Sequence, residues 1–409
     1  MSEPAPPQKL QRSLTLLLAV LYGLGVTIGA GIYVLVGIAA GRSGMHAPLA
    51  FIFAAIVMSF SAASFAELGT RMPVSASEAA YVQKAFNQPW LSLTMGLLVV
   101  LTATISAATI SVGSAGYLGV FVDLPPHWII TLVVLSMGLV ACLSTRRSVT
   151  IAGIMTLIEL GGLVLIIAAG FGASSGVVTR LPEILPDPGD LAVWVGLSGT
   201  TLIAVFAFIG FEHLVNVAEE MKTPSRTLPL ALFLTLGLTA FVYALVVWVA
   251  VVAVPPEELA SSSAPLALVF ERLTGMPLIT MSLIAVVATL NGIIVHVIMI
   301  SRVLYGLATQ GNLPKALTYL NARTGTPLLT TAIGVAAILA LALAVPLAGL
   351  ADLTARFTLV IFAIINIALI RIKLLEATPP PQVFVCPRWV PVAGFVSSVG
   401  LLVLDLVVR

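Results

Sequence analysis

Charge is what this sequence has least of. Only 9% of its 409 residues are Asp, Glu, Lys or Arg, where a soluble globular domain carries about 25%. That scarcity, with 59% hydrophobic residues, excludes an ordinary water-soluble fold and leaves an all-α polytopic membrane protein. The net charge of only +2 and the lack of any basic tract remove nucleic acid as a partner. Cysteine is nearly absent: Cys142 and Cys386 stand far apart, each beside an apolar segment, and supply neither a disulfide framework nor a metal site. The four histidines are dispersed, His46 and His127 in loops and His213 and His296 in apolar segments. Each of the latter two reads as an interhelical partner rather than a metal ligand. No phosphate-binding glycine loop is present, and no nucleophile pairs with a base inside an apolar segment. Nucleotide-driven work and enzyme catalysis are therefore set aside, and no cofactor is expected.

What the chain does have is apolar runs of membrane-spanning length, at 14–40, 47–66, 91–121, 127–143, 149–171, 192–217, 228–254, 278–304, 328–345, 351–370 and 390–408. A helix rises ~1.5 Å per residue and a ~30 Å hydrocarbon core takes about 20 residues, so these runs predict eleven spans in contact with lipid. The first run exceeds the ~7–15-residue apolar core of a cleavable signal and reads as a span, with Lys9 and Arg12 as its cytoplasmic anchor. Placing the N-terminus inside puts fourteen of the 19 Lys and Arg residues on inner segments and five, Arg42, Arg180, Arg272, Arg356 and Arg409, on outer ones. Cytoplasmic loops carry such an excess, so the split supports both the span count and its direction. The Pro-, Ser- and acid-rich connections 172–191 and 255–277 read as outer loops with at most short interfacial helices. Residues 377–389, ATPPPQVFVCPRW, read as a proline-stiffened inner linker. The expected organisation is an inner segment 1–13, a five-helix unit 14–171, a second five-helix unit 192–370, and a linker with the eleventh helix, 371–409.

Two of these runs carry a glycine-interrupted centre: GAG at 29–31, inside VTIGAGIYVLVG, and FIGFE at 208–212. Glycine in a helix interior costs ~1 kcal/mol relative to alanine and lets another backbone approach closely. The residues alone leave two readings open, a small-residue packing face or a place where the helix opens. The interruptions fall five spans apart, and an odd offset makes the two copies cross in opposite directions, as in a transporter built from inverted repeats with a midplane site.

Three segments sharpen this: GVTIGAGIYVLVG at 25–37, VFAFIGFEHLVNVAEEMKTPSRTLP at 205–229 and SRVLYGLATQGNLPKALTYLNARTGTP at 301–327. With them the chain resembles the amino acid–polyamine–organocation superfamily of permeases, particularly its bacterial amino acid transporters, over essentially its whole length. The resemblance implies a LeuT-like fold of two inverted five-span repeats in the cell inner membrane. The family usually has twelve spans; eleven are read here, with the ten-span core complete. It also implies a substrate site at Ile28, Gly29, Ala30, Gly31 and Ile32 and at Phe206, Ala207, Phe208 and Ile209, with Phe206 as a gate. If the first helix unwinds from Ile28 to Gly31, the N–H groups of Ala30, Gly31 and Ile32 suit a carboxylate. Unwinding from Phe206 to Gly210 would free the carbonyls of Phe206, Ala207 and Ile209 for an ammonium. Phe208 and Phe211 otherwise read as packing aromatics.

Glu159, in TLIELGG, puts a carboxyl near the middle of the fifth span, where it is read as functional by default. At the matching place proton-coupled relatives carry a lysine, where sodium-coupled relatives bind an ion against the first and eighth spans. A carboxyl there could carry a proton, bind a cation such as sodium with the opened backbone, or stay protonated and bond a hydroxyl. Glu212 follows the second interruption and is a second candidate for coupling or for the inner pathway. Thr102, Ser106 and Thr109 share a face of the third span, where hydroxyls usually bond their own helix; Asn291 lies in the eighth, which borders the site in the fold. The function expected is secondary transport of an amino acid, neutral in preference to cationic, by alternating access, driven by an ion gradient such as protons or by exchange. An amine substrate and a transporter-like sensor or channel are the alternatives, and the oligomeric state is open. On this reading a bulky replacement at Gly31 removes binding and leaves the fold intact, as a thermal unfolding curve with and without substrate would show.

Overall fold

The computed structural model describes residues 14–73, 77–142, 145–173, 176–321, 324–376 and 378–408. The expected inner segment 1–13, together with Arg323 and Arg409, lies outside them. The chain builds helices α1 Leu16–Thr27, α2 Ala30–Ser43, α3 Ala47–Arg71, α4 Ser77–Phe86, α5 Pro89–Leu118, α6 Pro126–Ala141, α7 Thr145–Ala173 and α8 Gly176–Thr179. It continues with α9 Leu191–Phe208, α10 Pro224–Ala253, α11 Pro256–Ser261, α12 Pro265–Thr274, α13 Ile279–Thr309, α14 Leu328–Ala344, α15 Leu347–Leu375 and α16 Trp389–Val408. A 3₁₀ segment, Phe211–Glu220, follows α9. Among the described residues the one extended pairing is an isolated bridge between Leu14 and Met221. The protein is an all-α polytopic membrane protein.

Each apolar run of the sequence is matched by a helix, or in two places by a broken one. Eight helical stretches among the described residues are long and apolar enough to cross a bilayer, and α1, α6 and α14 are shorter apolar helices. One of the eight, Gly31–Arg71, runs 41 residues, about twice what a ~30 Å core requires. Gly44, at φ 54°, divides it into α2 and α3. Local chemistry sets several other ends. The Thr15 hydroxyl caps the Leu18 N–H of α1, and Asp190 accepts the Val193 N–H of α9 at 3.2 Å. Left-handed Gly275 ends α12.

The helices pack into two groups. α1, α3, α10 and the 3₁₀ segment pack on one another, as do α5, α6, α13 and α14. α7 bridges α1 and α13, and α15 lies against α3, α5 and α9. The short α4, which the apolar runs do not reveal, packs on α5 and α15. Arg42, at the end of α2, reaches both carboxylate oxygens of Asp352 on α15, at 3.3 and 3.4 Å.

At the opposite end of the molecule a buried charge cluster ties the 378–388 linker to α3. Glu67 is fully buried and accepts from Lys373 Nζ at 2.6 Å, Arg71 Nη2 at 2.7 Å and the Cys386 N–H at 2.9 Å. Arg71 also pairs with Glu376 at 2.7 Å, and the Thr70 hydroxyl accepts the Phe384 N–H. Burial, with the Glu67 carboxylate beside it, pushes the Cys386 thiol up to about 12, so it stays protonated. Removing one partner of a buried ion pair leaves the others unpaired, at a cost of about 3–5 kcal/mol. Glu67→Ala is therefore expected to lower the thermal unfolding temperature in detergent sharply, with Glu67→Gln losing less. Equal melting of Glu67→Ala and the parent would show that the cluster does not hold this end together.

Candidate functional site

Two helices stop in the middle of the molecule. α1 ends at Thr27, and Ile28 and Gly29 separate it from α2. The opening expected over 28–31 is shorter than that, because Ala30 and Gly31 already form the first turn of α2. A reason lies across the interface: a Cβ on Gly31 would stand 2.9 Å from the Ala207 Cα. The first turn still leaves the N–H groups of Ala30, Gly31 and Ile32 without carbonyl partners inside α2. Ile28 and Ile32 are buried.

The second break mirrors the first. α9 ends at Phe208, Ile209 is extended, and Gly210 sits at φ 126°, a conformation open to glycine and strained for other residues. A Cβ there would lie 2.7 Å from the Val26 carbonyl oxygen. Each break thus presents a glycine to the other helix, Gly31 to Ala207 and Gly210 to Val26. The broken helices cross in direct backbone contact. The expected freeing of the Phe206 carbonyl is corrected here, since it accepts the Ile209 N–H at 3.2 Å in the last turn of α9. Ala207 and Ile209 remain from that expectation. Gly210 is engaged as well, its N–H by Glu212 Oε2 at 2.8 Å and its carbonyl by the His213 N–H at 3.0 Å. Phe206 is buried. Phe208 packs on Phe51 and Tyr243, and Phe211 on Phe65 and Phe362, so both serve as core aromatics. From α10, the Tyr243 hydroxyl donates to the Thr27 carbonyl at 2.9 Å and caps the end of α1.

Glu159 lies beside the first break. α7 runs along both pieces of the broken helix, with Thr156 against Gly25 and Gly162 against the Tyr33 hydroxyl. Glu159, midway between them, is therefore level with Ile28 and Gly29. The Tyr33 hydroxyl donates to its backbone carbonyl at 2.6 Å. In the wholly buried side chain, Oε1 accepts from Asn291 Nδ2 at 3.0 Å, and Oε2 has no hydrogen-bond partner among the described residues. An orphaned carboxyl oxygen at such a place is suited to hold a proton or a monovalent cation. Asn291 is thus the partner of Glu159 rather than an isolated polar group.

Beyond the second break is a small cavity of about 30 Å³. Ile209, Glu212 and His213 wall one side; Val99, Thr102, Ala103 and Ser106 of α5, with His296 and Met299 of α13, wall the other. Thr358, Ile361 and Phe362 of α15 and Glu78 of α4 complete it. Thr102 and Thr109 donate to their own helix, to the Leu98 and Ile105 carbonyls at 2.8 and 2.9 Å. The His213 and His296 rings meet edge to face, 6.4 Å between centroids. No group of three or more His, Cys, Asp or Glu residues capable of holding a metal occurs among the described residues.

Residues 14–408 match the model of a family described as amino acid permease. The chain belongs to the amino acid permease family. The permease is 29% identical over 401 residues to an uncharacterized transporter of Mycobacterium tuberculosis, covering 97% of this chain and 86% of that one. It is 29% identical over 405 residues to cationic amino acid transporter 3 of Arabidopsis thaliana, covering 92% of this chain and 64% of that one. A branched-chain amino acid permease of Bacillus subtilis is 26% identical over 410 residues, covering 93% of this chain and 84% of that one. This is a transporter of amino acids and not an enzyme.

Glu78 of α4 is a cavity residue that the sequence reading overlooks, and the pairing of His213 with His296 is a second. Glu78 belongs to a short amphipathic helix without an apolar run, and the two histidines are 83 positions apart. Gly31 also changes role: it seats α2 on Ala207 as well as standing at the break. A Cβ there overpacks the crossing, which typically costs about 1–3 kcal/mol. Gly31→Val is now expected to lower the melting temperature of the permease along with its substrate response. At Gly29 the nearest atom to an added Cβ is 3.8 Å away, so Gly29→Ala is expected to melt close to the parent. Unchanged melting of Gly31→Val would mean that the crossing is loose.

Proposed function

We propose that the permease is a secondary active transporter that holds a neutral α-amino acid between its two helix breaks and moves it by alternating access. The observation that carries this is the crossing itself, two interrupted helices in backbone contact with a cavity leading away from it. On this reading the first-turn N–H groups of Ala30, Gly31 and Ile32, at the positive end of α2, take the substrate carboxylate. The carbonyls of Ala207 and Ile209 take its ammonium. Phe206 covers the ligand, and the side chain is read by the apolar wall of Val99, Ala103 and Met299. Backbone groups of both signs recognise the invariant part of an amino acid and leave selectivity to that wall. The relatives' names include both cationic and branched-chain substrates; the apolar wall favours the neutral class.

The sequence supports two inverted five-helix repeats, 14–171 and 192–370, in a cell inner membrane. It also supports a cytoplasmic face on the side where α1 begins, because most basic residues fall there. The cavity then leads inward. Glu159 is the coupling group: it takes a proton on its unpartnered oxygen level with the first break, and Glu212 lies on the exit path. Coupling through a protonatable carboxyl implies that Glu159→Gln, reconstituted in liposomes, loses uptake driven by a pH gradient while retaining counterflow exchange. Undiminished driven uptake would remove Glu159 from the coupling mechanism, and uptake driven by sodium instead would reassign its oxygen to a cation. A thermal-shift screen of the twenty amino acids and simple amines identifies the substrate, because a ligand bound only by the folded state raises apparent stability. Stabilisation by amines lacking a carboxylate would favour an amine substrate over an amino acid.

A further inference from the structure

We propose that His213 and His296, with the Glu212 carboxylate, form a proton-binding site that closes the inner cavity when it is occupied. The proposal rests on the transport reading of that cavity but uses residues the crossing does not.

The two rings belong to different groups of helices. His213 is on the 3₁₀ segment, which packs with α1, α3 and α10, whereas His296 is on α13, which packs with α5, α6 and α14. They meet where the cavity separates those groups. The ring of His296 is oriented by its own helix: Nδ1 lies 2.8 Å from the Gly292 carbonyl and must donate to it, since a carbonyl only accepts. In the neutral ring Nε2 is then the lone-pair nitrogen. His213 has Glu212 Oε1 3.9 Å from its Nε2 and the His296 ring 6.4 Å away, centroid to centroid. A single proton on His213 therefore has both a carboxylate and an imidazole beside it.

The surroundings favour one proton and not two. Among the residues lining the cavity the charged or titratable groups are Glu212 on the same segment, Glu78 from α4 and His296 from α13; α5 and α15 contribute only hydroxyls and apolar groups. With both rings neutral and Glu212 ionised the site carries one negative charge, which a single shared proton neutralises. Protonating both rings sets like charges against each other, which disfavours the second. The singly protonated pair draws the 3₁₀ segment toward α13 and narrows the cavity. When the proton leaves to water, that attraction is lost and the two groups can part. Glu212 links this site to the crossing, because its other oxygen holds the Gly210 N–H at 2.8 Å.

The test needs no substrate, so it answers separately from the transport reading. Spin labels are placed on Lys222→Cys, just past the 3₁₀ segment, and on Gln310→Cys, at the end of α13. Both sites are exposed, and Cys142→Ser leaves only the buried Cys386. The label distance is measured by pulsed electron resonance in lipid nanodiscs between pH 5.5 and 8. The expected result is a shift from a shorter to a longer distance as pH rises, with one midpoint. His213→Gln and His296→Gln each abolish the pH dependence. Glu212→Gln keeps it but moves the midpoint to lower pH, a displacement that misfolding would not produce. A distance independent of pH in the parent, pH dependence surviving in both histidine variants, or a midpoint unmoved by Glu212→Gln would each overturn the proposal.

Discussion

The structure depends on the backbone contact between its two broken helices. Inside a bilayer there is no water to satisfy an opened peptide group, so irregular backbone survives at that depth only where protein buries it or a cavity wets it. Both conditions apply here. Gly31 lies on Ala207 and Gly210 on Val26, each too close for a Cβ without displacement. Each opening is thus covered by the other helix. Neither break could be built alone, because the glycine that lets one helix bend also seats it on its partner. The Tyr243 hydroxyl on Thr27 and the Glu212 carboxylate on the Gly210 N–H finish the same task from outside the contact. The residues that hold the openings are therefore as specific as those that would hold a ligand.

Three buried glutamates show how location decides what a carboxyl does. Glu67 has two cations and a backbone N–H, and with its partners satisfied it acts as a structural knot. Glu159 has one amide and an orphaned oxygen beside a helix break, a state poor for stability and suited to reversible binding. Glu212 lies between these cases: one oxygen braces Gly210 while the other points toward His213. Same residue type and similar burial, yet only partner count and position separate anchor from switch.

How much of this the sequence shows follows from which forces are local. The apolar runs are dictated by the solvent, so each appears as a helix or, at the two glycine interruptions, as a broken one, and the start of α9 at Leu191 is one residue from its expected limit. The breaks were legible because two glycine-interrupted centres fall five spans apart, an offset that a mere packing face does not require. Their extent was not, since the early return of Gly31 to helix reflects a contact with Ala207, 176 positions away. The Phe206 carbonyl failed for a similar reason: whether it is free depends on where α9 stops, and the helix continues to Phe208. α4 was invisible because no apolar run marks it, and with it went Glu78. Asn291 and Glu159 could each be picked out as unusual, but not as a pair.

Placement relative to the crossing separates two kinds of proton chemistry. Glu159 stands level with the first break, on the flank formed by α7 and α13, where its charge is felt by the same first turn of α2 that would take a carboxylate. Ionised, it opposes an anion there; protonated, it does not. A substrate carboxylate and a proton on Glu159 therefore favour one another by simple Coulomb interaction in a low-dielectric setting. The histidine pair lies past the second break, where it joins the two groups of helices across the cavity. On the proposed reading a proton there biases which way the cavity faces. Transport against a gradient needs both kinds of linkage, one between ion and ligand and one between ion and orientation. A chain with so few charges has distributed its buried acids and imidazoles on the two sides of one crossing, where each linkage is physically available.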